Sequence, residues 1–409
     1  MKSDHSNLTG VVVTRGALTN SLGVVRAFGR RGILVVFLDM GGRDALRYSK
    51  YITTRLKGQD SQESETGFIK ILLAFGKQLN GKMMIIPIGD SDVLALSKYK
   101  HELEKYYYLP VPAFETVQKL VNKKIFYKLL AEMDIPHPNT HFPENLTELR
   151  KKGLEIDYPY LIKPAYPGPF YEEFGRKNFV IHSPRELFQV IDRLRDKNLE
   201  VMIQDIVPGN EIYMFYTYFN RKSEPLAVCG YDKIRQFPDD FGSGSLCRSN
   251  LRSSPIKECI RLLKAIEYQG FAEPELKKDP RDGKYKLLEI NARTTTQNRL
   301  AAACGVDVEY ISYLEADGRS TKNSLAFRSG VFWIDDIPDL LSCLERLKRK
   351  EIGIGEIIRT LRIPKVHAVA AWDDPAPFVI FTMAFVRNMV SQSFGALQHR
   401  FAKRKSGAY

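Results

Sequence analysis

Lys286-Leu-Leu-Glu-Ile-Asn-Ala-Arg293 is the most informative stretch of this 409-residue chain. A second acid, Glu275, lies fourteen residues before Glu289. The intervening residues 278–284 contain an Asp-Pro and an Asp-Gly, which are typical of a turn between two strands. The pattern therefore predicts a hairpin that places Glu275 opposite Glu289 on neighbouring strands.

Such a hairpin would gather oxygen ligands for a divalent metal ion. Glu275 and Glu289 supply carboxylates and Asn291 supplies an amide oxygen, and hard ligands of this kind suit Mg²⁺. Because Mg²⁺ is usually completed by water and substrate phosphates, the set indicates a nucleotide triphosphate. Arg293, on the same strand face, presents a planar charged fork to a phosphoryl or carboxylate oxygen. The alternative for this segment alone is a surface hairpin with solvated charges.

Two upstream segments predict strands that end in polar groups. Residues 158–163 form a short apolar strand that ends in a lysine and is stopped by a proline. Residues 199–211 form a strand that enters a Pro-Gly turn with an acid on either side. An adenine between apolar walls needs few polar groups, so backbone groups near Val207 and a ribose contact from Glu211 would suffice.

In this order the segments resemble the ATP-grasp superfamily, and more narrowly its carboxylate-amine or carboxylate-thiol ligases. The resemblance covers about residues 8–315. It implies that five residues bind the nucleotide, namely Lys123, Lys163, Lys177, Gln204 and Asp205. Gln204 and Asp205 match the dipeptide at the adenine edge. The resemblance also implies that Glu275, Glu289 and Asn291 bind Mg²⁺ and that Arg293 lies near the transferred phosphate.

Residues 231–245 resemble a substrate-side segment of this ligase subgroup. Lys233 and Arg235 within it would hold the acyl phosphate or the carboxylate, and together with Arg293 they are the candidate catalytic residues. The alternative is that both residues belong to a solvated strand edge.

One segment departs from the superfamily pattern. A glycine-rich phosphate loop is usual there, but residues 165–175 hold only two glycines together with two prolines. Such a loop cannot wrap phosphates by backbone amides alone. Either Lys177 and Arg176 compensate, or nucleotide turnover is slow.

The resemblance implies an enzyme that activates a carboxylate as an acyl phosphate and joins it to an amine, with release of ADP and phosphate. The implied cofactors are ATP and Mg²⁺, with Mn²⁺ as an alternative metal. Two other functions compete: an ATP-dependent carboxylase of bicarbonate, and a non-catalytic ATP-binding regulatory module. The chain has no biotin-attachment motif, which argues against the first, and its full set of Mg²⁺ ligands argues against the second.

The first part of the chain alternates strand and helix patterns, which predicts a parallel, doubly wound sheet. The predicted elements are a strand at 10–14, a helix at 20–31, and strands at 33–38 and 83–87. Residues 14–23 lack the Gly-x-Gly-x-x-Gly order, so substrate binding is favoured there over NAD. The resemblance divides the chain into an α/β pre-ATP-grasp domain (1–115), an ATP-grasp domain (116–320, with a small α+β lid at about 150–205) and a C-terminal extension (321–409).

Length and composition agree with a multidomain enzyme of the cytoplasm, and the resemblance implies small-molecule carboxylate and amine substrates. Apolar residues make up 44% of the chain, which is ample for sizeable cores, and the start of the chain lacks a signal pattern. The five cysteines form no Cys-x-x-Cys pair, so buried thiols are expected rather than disulfides or zinc. No nucleic-acid motif accompanies the net charge of +13, so nucleic-acid binding is not predicted.

The C-terminal part combines a hydrophobic run at 378–386 with a basic tail. The basic or titratable residues of this tail are Arg387, His399, Arg400, Lys403, Arg404 and Lys405. Nine residues cannot span a bilayer. Residues 378–405 could touch an anionic membrane surface, and the alternative is a segment packed on the core with a solvated tail.

Overall fold

The computed structural model describes residues 8–41, 44–239, 241–319 and 325–389, which form three β-sheets. The first sheet is parallel, with the strand order β3-β2-β1-β4-β5. Its strands are β1 (Val11–Val13), β2 (Val35–Asp39), β3 (Thr54–Lys57), β4 (Met83–Ile86) and β5 (Tyr107–Tyr108). Its helices are α1 (Leu18–Gly29), α2 (Glu65–Gly76), α3 (Asp90–Lys98) and α4 (Lys100–Leu103), with a 3₁₀ helix at Ala45–Tyr48.

The predicted parallel α/β sheet is confirmed. The central strands β1 and β4 are buried along their whole length, as expected for apolar runs covered on both faces. The order of the strands reverses between β1 and β4, where ligands bind in open sheets of this kind. Thr14 follows β1 and Asp92 lies in α3 after β4, and the Thr14 hydroxyl donates a 2.6 Å hydrogen bond to Asp92 Oδ2.

The second sheet is a small antiparallel unit with its own core. Helices α5 (Phe114–Val121) and α6 (Lys123–Glu132) lead into it. Its strands, in the order β6-β9-β7-β8, are β6 (Thr140–His141), β7 (Tyr160–Pro164), β8 (Phe179–Ile181) and β9 (Val201–Asp205). Its helices are α7 (Leu146–Glu155), α8 (Pro167–Phe174) and α9 (Pro184–Leu194). Ser183 caps α9 by accepting a hydrogen bond from the Glu186 amide, as its Ser-Pro start predicts.

Helix α8 stands where the sequence predicts a phosphate loop, so the prediction of a loop is wrong. Pro167 is tolerated because it occupies the first helical turn, where its missing N–H has no partner to lose. Phe170 and Phe174 lie one turn apart and pack edge-to-face on Phe179 of β8. Gly175 ends the helix in the left-handed region, with φ of +64°. Aromatic packing therefore orders the segment as a helix.

The third sheet has seven strands in the order β14-β13-β10-β11-β12-β15-β16. The strands are β10 (Ile212–Phe219), β11 (Pro225–Phe237), β12 (Ser243–Ser249), β13 (Gly270–Lys278), β14 (Tyr285–Asn291), β15 (Phe332–Ile334) and β16 (Lys365–His367). The helices are α10 (Ser253–Ala265), α11 (Asn298–Ala303), α12 (Val308–Ala316), α13 (Asp336–Lys348) and α14 (Ile354–Arg362). Residues 332–367, in the predicted C-terminal extension, thus supply two strands of this sheet, and Ile334 pairs with Leu246 of β12.

The last described segment, 376–389, is helical and contains the predicted hydrophobic run. Phe378 and Phe381 pack against the core that surrounds β1, whereas Val379 and Met383 are exposed. Arg387 lies in this helix, and the basic residues from His399 onward lie outside the described residues. None of the described helices has the length and apolar character needed to cross a membrane. All five cysteines are buried free thiols, as predicted.

Candidate active site

The hairpin of β13 and β14 places polar side chains in opposed pairs. Glu275 lies opposite Glu289, and Glu273 lies opposite Asn291. Because residues two apart on a strand share a face, all four side chains project from one face of the hairpin. The predicted hairpin and its Glu275–Glu289 pairing are confirmed.

One lysine from another part of the chain contacts Glu289, and the charges of two more lysines act on it. Nζ of Lys123, at the start of α6, lies 3.2 Å from Glu289 Oε2. Lys123 is the main reason that the pKa of Glu289 falls to about 2, and the charges of Lys163 and Lys177 lower it further. Burial opposes the charge of Lys123, but Glu289, Tyr127 and Asp90 together outweigh burial and raise the Lys123 pKa. The structure thus brings one predicted nucleotide-binding lysine, Lys123, into contact with one predicted metal ligand.

Lys163, near the end of β7, joins this cluster to the adjacent strand β9. Its Nζ donates a 2.8 Å hydrogen bond to Gln204 Oε1, and Gln204 Nε2 donates to the Thr140 hydroxyl at 2.9 Å. Burial, followed by repulsion from Lys123, lowers the pKa of Lys163 to about 8. A buried ammonium with a neutral partner and a lowered pKa is poised to gain from an anionic ligand.

We expect ATP binding to weaken as pH rises through 8. The Lys163 ammonium is present below its pKa of about 8 and is lost above it, so it attracts phosphates only on the acid side. The dissociation constant should rise about fivefold between pH 8 and pH 9, which calorimetry can measure. Lys163→Arg keeps its charge over this range and serves as the control. Equal pH profiles for the two proteins would remove Lys163 from the phosphate site.

A cleft of about 430 Å³ opens beside the lysine cluster, between the second and third sheets. Its apolar lining includes Leu161, Ile206, Val207, Ile212 and Leu288. Its polar lining includes Lys163, Gln204, Asp205, Lys233 and Glu275. Apolar walls with a few convergent polar groups are the usual form of a site for a flat base. The cleft therefore has the composition of an adenine site.

Glu211, predicted to contact a ribose, lies beside the cleft. Its neighbours Asn210 and Ile212 line the cleft. The Glu211 carboxylate is exposed, and its Oε1 lies 3.4 Å from Nζ of Lys278 on β13. Since an exposed ion pair of this kind contributes little energy, the carboxylate can exchange this partner for a sugar hydroxyl at low cost.

Lys233 and Arg235 on β11 are both buried, each against an acid. Lys233 Nζ lies 2.9 Å from Glu275 Oε1, so this lysine contacts the hairpin of β13 and β14. The Arg235 guanidinium donates to both carboxylate oxygens of Asp339 on α13, at 2.9 and 2.8 Å, and to the Thr360 hydroxyl at 3.2 Å. Arg235 lines the cleft, but its guanidinium is bound by Asp339 and Thr360, which lie in the predicted C-terminal extension.

Arg293 lies where the hairpin meets the first sheet. Its Nε lies 3.0 Å from Oδ1 of Asp90, which begins α3 after β4. Its two other nitrogens donate to Asn291 Oδ1 at 3.3 Å and to the Thr294 carbonyl at 3.0 Å. The Arg293 guanidinium thus lies between the predicted metal ligands and the carboxyl ends of the strands of the first sheet. A second substrate would lie at those strand ends.

Glu273 was not predicted from the sequence to be a site residue, and no partner was predicted for Arg293. Glu273 is buried and accepts hydrogen bonds from Tyr231, Thr295 and Asn291. Burial raises the pKa of Glu273, although Arg293, Thr295 and Tyr231 oppose the shift. A usable signal was present, because Glu273 and Glu275 are two residues apart on one strand and must share a face. The Asp90–Arg293 contact joins distant segments, so no local pattern indicates it.

The hairpin suits a magnesium ion. Glu289 stays ionised at neutral pH because its pKa is about 2, and Asn291 adds a neutral oxygen on the same strand face. Within the described ranges, no three His, Cys, Asp or Glu side chains come together as a metal site. An ion bound by Glu275, Glu289 and Asn291 would be completed by phosphate oxygens and water, which is the usual coordination of Mg²⁺.

Comparison with known proteins gives relatives for most of the chain. No protein-family model matches the sequence. The chain is 27% identical over 266 residues to the D-aspartate ligase of Enterococcus faecium (strain Aus0004), covering 60% of this chain and 62% of that ligase. Thus the chain spans less than two thirds of the length of this relative.

Solved structures show the fold. The biotin carboxylase domain of Hydrogenobacter thermophilus 2-oxoglutarate carboxylase, solved with MgADP, ADP and bicarbonate, superposes with a TM-score of 0.63 at 14% identity, covering 80% of this chain and 73% of that chain. The L-amino acid ligase of Bacillus licheniformis gives 0.59 at 15%, covering 77% and 75%. The predicted resemblance to ATP-grasp proteins is therefore confirmed. The relatives of the chain are ATP-grasp proteins of the carboxylate-amine ligase type.

Proposed function

We propose that the chain is an ATP- and Mg²⁺-dependent ligase that activates a carboxylate as an acyl phosphate and joins it to an amine. The observation that carries this proposal is the 3.2 Å contact of Lys123 with Glu289, beside a cleft of adenine-site composition that Lys163 lines. Positive charge around one predicted metal-binding carboxylate is what a nucleotide triphosphate requires. An ATP-binding module without turnover would not need the further cations Lys233 and Arg293.

In the first step a carboxylate oxygen of the substrate attacks the γ-phosphorus of ATP, and the bond from phosphorus to the ADP oxygen breaks. Lys123 and Lys163 offset the charge of the phosphates and hold them in line. Bound Mg²⁺ would supply further charge neutralisation between phosphate oxygens. Arg293 stabilises charge on the transferred group, because its fork lies between the metal ligands and the first sheet.

In the second step the amine nitrogen attacks the acyl carbon, phosphate leaves, and the nitrogen loses a proton. No side-chain nucleophile takes part, so the chain's contribution is position and charge. The polar ends of β1 and β4 beside Arg293 are where we place the second substrate. The likeness to a D-aspartate ligase and an L-amino acid ligase supports an amino acid as one of the two substrates.

Hydroxylamine in place of the amine tests the proposal. With the correct amino acid or other carboxylate present, we expect ADP, phosphate and a hydroxamate, because a small nucleophile captures the activated acyl group. Omission of the carboxylate is the control and should abolish hydroxamate formation. AMP and pyrophosphate as products would mean adenylate chemistry and would contradict the acyl phosphate.

A bicarbonate carboxylase is the second candidate, favoured by the likeness to a biotin carboxylase domain. It predicts that bicarbonate alone stimulates ADP release, without any amino acid. Screening amino acids, short peptides and bicarbonate side by side for stimulated ADP release separates the two functions. Stimulation by bicarbonate only would overturn the ligase proposal.

A further inference from the structure

The helix at 376–389 has two apolar faces. Phe378 and Phe381 pack on the core, as a buried face should. The opposite face presents Val379, Met383 and Val386, which are 49%, 64% and 52% exposed. These three residues are spaced four and three apart, so they form one stripe along the helix. An apolar stripe turned to water indicates a surface that another body covers.

Trp372, in the turn before this helix, is a further exposed apolar side chain. Its side chain is fully exposed, whereas the other tryptophan, Trp333, is fully buried. A fully exposed tryptophan is uncommon, because its ring is large and mostly apolar. Tryptophan is enriched where one end of a side chain meets hydrocarbon and the other meets water, as at a membrane interface.

The chain holds Trp372 outward through the two residues that follow it. Asp374 is buried and accepts from Arg26 Nε at 3.0 Å and from the Ser49 hydroxyl at 2.7 Å. Asp373 accepts two hydrogen bonds from Arg30, at 2.7 and 2.8 Å. Arg26 belongs to α1 and Arg30 directly follows it, so this segment is tied to the first sheet just before the helix. The exposure of Trp372 is therefore a property of the packed fold.

The net positive charge of residues 375–409 favours one kind of binding partner for this exposed apolar surface. Residues 375–409 contain no Asp or Glu and five Lys or Arg residues. A second copy of the chain would bring the same positive charge against itself, which opposes association. An anionic bilayer offers hydrocarbon for the stripe and opposite charge for the basic residues, each of which raises affinity about fivefold near such a surface.

We propose that Trp372, Val379, Met383 and Val386 form a membrane-contact surface that binds anionic phospholipid. The surface lies apart from the candidate active site. The proposal concerns where the protein binds, and it does not depend on the proposed function. Trp372 enters the headgroup region, and the helix lies in the plane of the interface with its stripe on the acyl chains. Contact of this kind is peripheral and weakens with salt, because the electrostatic part is screened.

Full-length protein with vesicles of phosphatidylglycerol and phosphatidylcholine tests the proposal. We expect sedimentation with these vesicles at low salt, with little binding to pure phosphatidylcholine and a clear decrease as salt rises. Tryptophan emission should shift to shorter wavelength on binding, and Trp372→Phe should abolish the shift because Trp333 is already buried. Protein that stays in the supernatant with anionic vesicles at low salt overturns the proposal.

A double substitution separates the surface from general charge effects. Met383→Asp with Val386→Asp should weaken vesicle binding about tenfold or more, because it places carboxylates on the acyl side of the helix. Leu154→Asp, at an exposed leucine on α7, is the matched control and should bind as wild type when circular dichroism and Tm are unchanged. Equal binding by the double variant, or a concentration-dependent dimer that this variant abolishes, would overturn the assignment to lipid.

Discussion

Glu289→Gln is expected to lower the rate of ADP formation by at least about 100-fold, the usual loss when a charged group that stabilises the transition state is removed. The substitution keeps the shape of the side chain but removes the charge that pairs with Lys123 and would bind Mg²⁺. Lys123 and Lys163 remain, so the affinity for ADP without metal should change less than the rate. Steady-state ADP release and calorimetry measure the two quantities.

Asp282→Asn is the matched control for this variant. Asp282 lies in the turn of the same hairpin and pairs with Lys286 at 2.6 Å, on the exposed side. Its loss should leave the rate within about twofold, because exposed pairs contribute little. A Glu289→Gln protein with more than about a tenth of wild-type turnover, measured beside this control, would show that Glu289 is not part of the metal site.

Asp339→Ala is expected to reduce the free energy of unfolding by about 3–5 kcal/mol, the usual cost of removing one partner of a buried ion pair. Asp339 accepts from Arg235 at 2.9 and 2.8 Å and from the Ser245 hydroxyl at 3.1 Å, and both Asp339 and Arg235 are buried. Without it the Arg235 guanidinium stays buried with one hydroxyl partner, Thr360. Urea unfolding followed by circular dichroism measures the loss.

Two comparisons test the reason for that loss. Arg235→Met combined with Asp339→Leu removes both charges and should recover much of the stability, because an apolar pair needs no charge partner. Asp192→Ala breaks the exposed pair with Arg195 and should change the free energy by no more than about 0.5 kcal/mol. A loss at Asp339 as small as that at Asp192 would mean that water reaches Arg235.

Elements with local signals could be predicted from the sequence. The hairpin of β13 and β14 was predicted because its turn residues lie between the strands, and α9 because Ser183 and Pro184 mark its start. Strands β15 and β16 have only three residues each, and β15 pairs with β12 across more than 80 intervening residues. No local pattern specifies such a pairing. Helix α8 escaped prediction because its prolines suggest a turn and its aromatic packing is tertiary.

The candidate site divides in the same way. Lys163 could be selected because it ends a predicted strand and Glu289 because it lies on the predicted hairpin, whereas Lys123 was selected through the resemblance alone. That the charge of Lys123 dominates the pKa of Glu289 could not be predicted, because it depends on a 3.2 Å contact between α6 and the hairpin. The ion pair of Arg235 with Asp339 could not be predicted either, because Asp339 lies in a segment without a motif. The predicted division at 115, 320 and about 150–205 stays a prediction.

The late position of β15 in the chain bears on how the protein folds during synthesis. Ile334 pairs with Leu246, so β12 remains an unpaired edge of the third sheet until the ribosome has made and released residues 332–334. The partner of Arg235 is made later still, with α13. While the residues between β12 and β15 are being translated, the backbone hydrogen-bonding groups on one edge of β12 have no partner strand. During this period, association with other nascent chains competes with folding.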